Sequence, residues 1–577
     1  MNRLVLKNCT LSWWHSLRIV AFSLAGIFPL HADIKMPAIF GNHMVLQQEM
    51  KVPVWGTADV GEKVTVSAGD HTGTGTADST GKWRVDLAPF AQNTPSMTVT
   101  VTGHNTIRFD DVLVGDVWLA SGQSNMELPL YVLPIGADTE AHAADPQLRL
   151  FLVTKKASPM EPETEVEGKW ELCSPDSVKP FSAIAYFFGR ELRRKLNRPI
   201  GLIGSYWGGT PICAWISLSG FPKDPLFQKY LDQHATVIEA MSHYDEKLAD
   251  YQPKLKAWND QYKAAYDAQI TEWNTKVQKA KSAGQPPPSM PQPPVPVPEK
   301  PPDFTGNFYM PSALFNGMIS PLAPYGIKGV IWYQGENDVG NAAEYRTLFP
   351  RLVTDWREKW DEGDFPFLFV QLAGLAPNGK FSADNTLYAN ADWPLQREAQ
   401  TMALALPNTA VATAIDLGDV NGIHPPDKLD VGLRLALAAR HVAYGENIVF
   451  SGPVFDKMVV EGNNVRISFT QIGGGLILAD SPSTLAGCLP TPTTDLLGFV
   501  IAGADKKFVL AQARIDGVTV VVSSPDVPNP VAVRYDWANL TQANLYNKEG
   551  LPALPFRTDN WDDIISPAIP PQFSPAH

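Results

Sequence analysis

A chain of 577 residues is longer than one ordinary domain, and its length suggests about two to four. An apolar fraction of 44% is that of a globular protein, while a net charge of −13 without any basic block argues against a nucleic-acid partner, because phosphate binding needs clustered Lys and Arg. The 43 glycines and 50 prolines point to many turns and to β-rich lobes.

The chain opens with Arg3, Lys7 and Arg18 around the approach to an apolar run from Ile19 to Leu30, followed by His31-Ala32-Asp33. That is the layout of a secretory signal peptide, so residues 1–32 are expected to be a leader cut after Ala32, with a periplasmic or secreted mature protein. No later segment is long and apolar enough to span a bilayer, so no stable membrane insertion is expected after cleavage. Cys9 falls in the leader, and Cys173, Cys213 and Cys488 are far apart without metal-ligand spacing. One disulfide and buried free thiols both stay open for them.

Residues 33–111 read as a small β domain, in which KVPVWGTA, EKVTVSAG and SMTVTVTG are short strands separated by turns. Val112 to Leu119 is an apolar strand that runs into Ser121-Gly122-Gln123-Ser124. FSAIAYFFGRELRRKL predicts an amphipathic helix and RPIGLIGSYWGGT a strand with its loop, which is the α/β crossover pattern. Residues 223–303 interrupt it. Leu248, Tyr251, Leu255, Trp258, Tyr262, Tyr266, Ile270 and Trp273 form a helical stripe that Pro253 should break or kink, and QPPPSMPQPPVPVPEKPP should be extended. The α/β texture resumes near Met310, so 112–445 is expected to be one α/β unit with a helical and Pro-rich insertion at 223–303, and 446–577 a β-rich domain.

Serine is a poor nucleophile until a base takes its proton, so the fold must expose a serine and bring a histidine to it. Ser124, with Ser121 nearby, sits in a glycine turn after a strand, and His424 in a loop stiffened by Pro425-Pro426 after the strand 409–415. Each could equally be a turn serine or a surface histidine. Trp332-Tyr333-Gln334-Gly335-Glu336-Asn337-Asp338 also ends a strand. Gln334 could donate to an oxyanion, whereas ionised Glu336 and Asp338 only accept. Gly208 and Gly209, after Trp207, leave backbone N–H groups accessible, which suits an oxyanion hole and equally a tight turn. No cofactor motif is visible, and none is expected.

Together these blocks resemble the SGNH (GDSL-like) hydrolase superfamily, and within it the sialate O-acetylesterase family. GDVWLASGQSNM, GLIGSYWGGTPICAW, GVIWYQGENDV and DLGDVNGIHPPDK carry the resemblance, with PAIFGNHMVLQ, WPLQREAQ and ANLYNKEGLPALPFRTD extending it over most of the mature chain. It implies an α/β, flavodoxin-like three-layer core with flanking N- and C-terminal β domains and a helical insertion. It implies a carbohydrate O-acetylesterase that works through an acetyl-enzyme, with Ser124 as nucleophile and His424 as base. The Ser124 N–H, Gly208 or Gly209 and the Gln334 amide would hold the oxyanion, without a metal.

The resemblance departs at the histidine loop. Asn421 stands where the superfamily often has an aspartate and Gly422 where close relatives carry Asp, which leaves Asp419 as the acid to orient His424, with Asp416 also nearby. Trp207, Trp332, Tyr333 and Asn337 are the candidate substrate contacts, since aromatic faces pack on pyranose rings; the aromatics could equally be core. The partner is an O-acetylated carbohydrate, either a sialoside or a plant or algal polysaccharide such as xylan, xyloglucan or pectin. Arg397 and Arg434 are the isolated candidates for a sialate carboxylate. A carbohydrate-binding protein with an inactive core is the rival from another class.

Overall fold

The computed structural model describes residues 33–375, 392–419, 422–479, 494–540 and 543–561. The expected leader, Asn421 and Cys488 lie outside them. The central sheet contains β1 (Thr106–Gly122), β2 (Asp145–Leu152), β3 (Trp170–Cys173), β4 (Ile200–Tyr206), β5 (Gly329–Tyr333), β6 (Phe367–Gln371) and β7 (Thr409–Thr413). Their spatial order is β7-β6-β5-β1-β4-β2-β3. All neighbours are parallel except β3, which runs antiparallel to β2.

The core strands are apolar on both sides because both faces are covered. Side chains alternate across the pleat. Val330 and Trp332 therefore enter one buried cluster, with Leu352 and Trp356 of the helix Ala342–Trp360. Ile331 and Tyr333 enter another, with Ile184 and Phe188 of Ala183–Leu196 and Val431 and Leu435 of Lys428–Val442. The result is three layers, helices over sheet over helices.

β1 is longer than its apolar run suggests. Its first half pairs with Met97–Thr102, which also brings Lys63–Ala68 and His71–Thr76 into the sheet. The expected boundary at 111/112 thus falls inside one strand. At the other end of the chain, two four-stranded antiparallel sheets enclose a separate core of Val465, Ile467, Ile501, Val520 and Val533.

The insertion is helical over Gln228–Ser242, Tyr244–Trp258 and Ala264–Ser282. Pro253 does not break it: the residue is exposed, so the carbonyl it leaves without a donor can turn to water. The irregularity falls instead at the π-helical turn Asn259–Lys263. The aromatic stripe is covered by the proline tract, with Trp258 Nε1 donating to the Val295 carbonyl (2.8 Å) and Trp273 Nε1 to that of Pro288 (2.9 Å). Lys229 and Tyr230 anchor the first helix on buried Glu344 at 2.5 and 2.7 Å. Cys173 and Cys213 are free and buried, which decides between the two alternatives for that pair.

Candidate active site

Ser124 owes its place to sheet order. β4 and β5 lie on opposite sides of β1, so connections leave the β1 edge in both directions, and a crevice opens at such a point. Register aligns Tyr206 and Tyr333 with Gly122, which places the loops 123–126, 207–210 and 334–338 side by side. Gly122 has φ +133°, and a Cβ there would lie 2.1 Å from the Tyr333 carbonyl oxygen, so only glycine fits the turn. Half-buried Ser124 begins the short helix Ser124–Glu127. His424 comes from the far side, beyond β7, and its Nε2 lies 2.8 Å from Ser124 Oγ.

The histidine loop is held from beneath. Asn125 Nδ2 donates to the Ile423 carbonyl (3.0 Å) and to Glu336 Oε1 (2.5 Å), and Lys428 Nζ donates to Asn125 Oδ1 (2.5 Å). Burial drives the Lys428 ammonium down to about 7, partly opposed by Glu336, and raises Glu336 above the ordinary carboxylate range. Desolvation, with the Lys428 charge adding to it, lowers His424 below the ordinary histidine value. A neutral imidazole is the form that accepts a proton.

On the other side, Glu127 Oε2 accepts the Gly208 N–H at 2.6 Å and its Oε1 accepts Lys155 Nζ at 2.5 Å. Lys155 Nζ also sits 5.5 Å from the centroid of the Trp207 ring. Trp207 stacks on Phe308 at 4.8 Å, and Phe308 packs on Tyr309 at 4.5 Å. All three rings are partly exposed. Phe308 and Tyr309 are separated from the proline tract by only the five residues 303–307, so the chain returning from the insertion supplies part of this rim.

Several expected contacts are not made. Trp332 and Tyr333 are fully buried and do not form walls: they are the last two residues of β5, pointing into opposite layers, and Trp332 meets Trp215 and Trp356 edge-on. Gln334 is buried with both its donors engaged, to the Thr210 carbonyl (3.0 Å) and Asp338 Oδ2 (2.5 Å), and its oxygen accepts from Tyr345. Its amide is therefore not free for an oxyanion. The Gly208 N–H is likewise taken. The N–H groups of Ser124 and Gly209 make no hydrogen bond among the described residues. Asn337 is exposed on its loop.

No carboxylate among the described residues hydrogen-bonds His424. Asp419 meets the loop through its backbone, its carbonyl accepting the Gly422 N–H at 3.4 Å. Asp416 is bound by Arg434 through two contacts of 2.6 and 2.7 Å. Arg397 donates to four backbone carbonyls, among them Ala538 at 2.7 Å and Leu372 at 2.9 Å. Both arginines are buried structural ties, so neither serves as a carboxylate receptor. Sequence reasoning missed Glu127, Lys155, Phe308, Tyr309 and Lys428. Glu127 stands three residues after Ser124 and Lys428 four after His424, and that spacing was the available signal; Lys155, Phe308 and Tyr309 have none.

A serine hydroxyl beside an imidazole at the edge of a parallel sheet is an arrangement suited to nucleophilic hydrolysis. Residues 309–440 match a family described as carbohydrate esterase, sialic acid-specific acetylesterase. Sialate O-acetylesterase of Homo sapiens is 31% identical over 483 residues, covering 76% of this chain and 76% of the relative. That of Mus musculus is 31% identical over 467 residues, covering 74% and 77%. The crystal structure of a carbohydrate acetylesterase from Xanthomonas citri superimposes with a TM-score of 0.71 at 35% identity, covering 92% of this chain and all of the other (100%). The chain belongs to the sialate O-acetylesterase family and is an esterase of that group.

Proposed function

We propose that the protein removes O-acetyl groups from a carbohydrate by way of an acetyl-enzyme on Ser124, and that residues 112–445 form an SGNH-type, flavodoxin-like catalytic unit between β domains at 33–111 and 446–577. The observation that carries the reading is the 2.8 Å contact of His424 Nε2 with Ser124 Oγ at the crevice of the sheet. His424 takes the hydroxyl proton as Ser124 attacks the acetyl carbonyl. The N–H groups of Ser124 and Gly209 receive the oxyanion. His424 then protonates the departing sugar oxygen, and water releases acetate by the same route. The base is held by the Asn125 bridge from Glu336 to the Ile423 carbonyl, and Asp419 frames the same loop from its backbone. The leader expected at 1–32 would make this a periplasmic or secreted reaction.

The names of the curated relatives point to a sialoside. An acetylated plant or algal polysaccharide is the second reading, and a specific observation favours a neutral one such as xylan or xyloglucan: Lys155, a cation on the rim, is already paired with Glu127, and the surface beside it is aromatic. Acetate release would be measured from 9-O-acetylated sialoside and from acetylated xylan, xyloglucan and pectin, with Ser124→Ala as control. Release from one substrate that vanishes in the variant supports both chemistry and substrate. Release that persists in Ser124→Ala removes the nucleophile assignment.

A further inference from the structure

One carboxylate near the nucleophile has no part in the mechanism above. Glu127 sits on the same helical turn as Ser124. A Cβ on Gly208 would lie 3.1 Å from the Ser124 Cβ and 3.3 Å from Glu127 Oε2, so the loop 207–210, the nucleophile and this carboxylate are in mutual contact. Gly208 gives its N–H to Glu127, and the next residue, Gly209, has φ +73°. Successive amides around a left-handed residue face one concave side, where an anion can be held. Glu127 occupies the first of these amides. The next, that of Gly209, is left without a protein partner among the described residues.

We propose that Glu127 is a positioning residue that clamps Gly208 to the nucleophile helix and thereby aims the Gly209 N–H at the oxyanion, with Lys155 balancing the charge of the clamp. The inference rests on the reading of Ser124 as nucleophile. A fixed carboxylate this close to a forming oxyanion opposes it electrostatically, and a cation on its other oxygen removes most of that opposition. Lys155 holds that oxygen at 2.5 Å. The pair thus orders the loop without repelling the transition state. Both side chains keep some exposure, 28% for Glu127 and 40% for Lys155, so their removal leaves no buried charge unpaired.

The test is kcat and KM on a small aryl acetate for Glu127→Ala, Glu127→Gln, Lys155→Met and the double variant Glu127→Gln/Lys155→Met, with Ser124→Ala alongside and thermal melts to confirm folding. Glu127→Ala should lower kcat by about tenfold to a hundredfold with KM nearly unchanged, since a misaimed donor is lost only in the transition state. Glu127→Gln, whose amide oxygen can still accept from Gly208, should recover about tenfold of that loss. Lys155→Met leaves the carboxylate unbalanced and should lower kcat about tenfold, and the double variant should restore most of it. A full-speed Glu127→Ala overturns the proposal, as does a loss confined to KM, a Glu127→Gln as slow as Glu127→Ala, or a double variant no faster than Lys155→Met. A Ser124→Ala protein that keeps its activity would instead remove the nucleophile reading beneath it.

Discussion

The loops 207–210 and 334–338 look alike in sequence and behave differently in the fold. Each follows a wholly buried strand, each has a tryptophan and a glycine close by, and each starts beside Gly122 in register. Trp207 is the first residue beyond β4 and stays partly exposed on the rim. Trp332 and Tyr333 are the last two residues of β5 and are fully buried. In a sheet covered on both faces every side chain within a strand belongs to a layer, and only past the last ladder residue can one reach the crevice. A shift of one or two residues along the chain therefore separates a rim position from a core one. The polar parts differ too: 207–210 leaves the Gly209 N–H without a partner among the described residues, whereas 334–338 brings the Glu336 carboxylate to the histidine loop through Asn125.

The largest effect comes from breaking what both loops serve. Ser124→Ala and His424→Ala should each lower kcat by at least about 10⁴-fold in acetate release, with folding intact. Trp332→Ala tests the core side of the comparison. It should destabilise the protein by about 3–5 kcal/mol in denaturant unfolding and change KM little, because it leaves a cavity among Trp215, Phe349 and Trp356. A raised KM with unchanged stability would put Trp332 back in the site. Gln334→Ala should cost about 1–3 kcal/mol by leaving Asp338 and the Thr210 carbonyl short of a donor. If Gln334 were an oxyanion donor, the variant would instead lose about 10²–10³-fold in kcat.

The layered α/β core was legible because β1, β4 and β5 are apolar runs ended by glycine turns, and runs of that kind fit strands buried on both faces. Ser124 and His424 were legible as a pair only through the resemblance, since 300 residues separate them and sheet order brings them together. What stayed hidden depends on contacts between distant segments. Nothing local marks Phe308 as a partner of Trp207 or Lys155 as a partner of Glu127. Gln334 has the right chemistry for an oxyanion donor, but Asp338, one turn along, claims its amide. Pro253 shows the opposite failure, a strong local signal overruled because its position on the helix is exposed.

Smaller effects sharpen the rim side. Trp207→Ala and Phe308→Ala should each raise KM for the acetylated glycan about threefold to tenfold, a loss of roughly 1 kcal/mol as expected for aromatic packing, while leaving a small aryl acetate nearly unaffected. Equal losses on both substrates would mean that the ring stack supports the loop rather than the sugar.

The smallest effect isolates the charge under loop 334–338. The positive charge of Lys428 adds to burial in disfavouring the imidazolium of His424, and both lower the pH at which the imidazole becomes neutral. Activity limited by a neutral base rises with pH through that value, so the acid limb of kcat/KM should lie below the ordinary histidine range. Lys428→Met keeps the length of the side chain and removes the charge. It should move the acid limb to higher pH, so that the variant loses most relative activity on the acid side and little above neutrality. Glu336→Gln removes a charge of the opposite sign from the same network and should move the limb the other way. If both variants left the limb in place, Glu336 and Lys428 would be no more than scaffolding for Asn125, and the two loops would differ in packing alone.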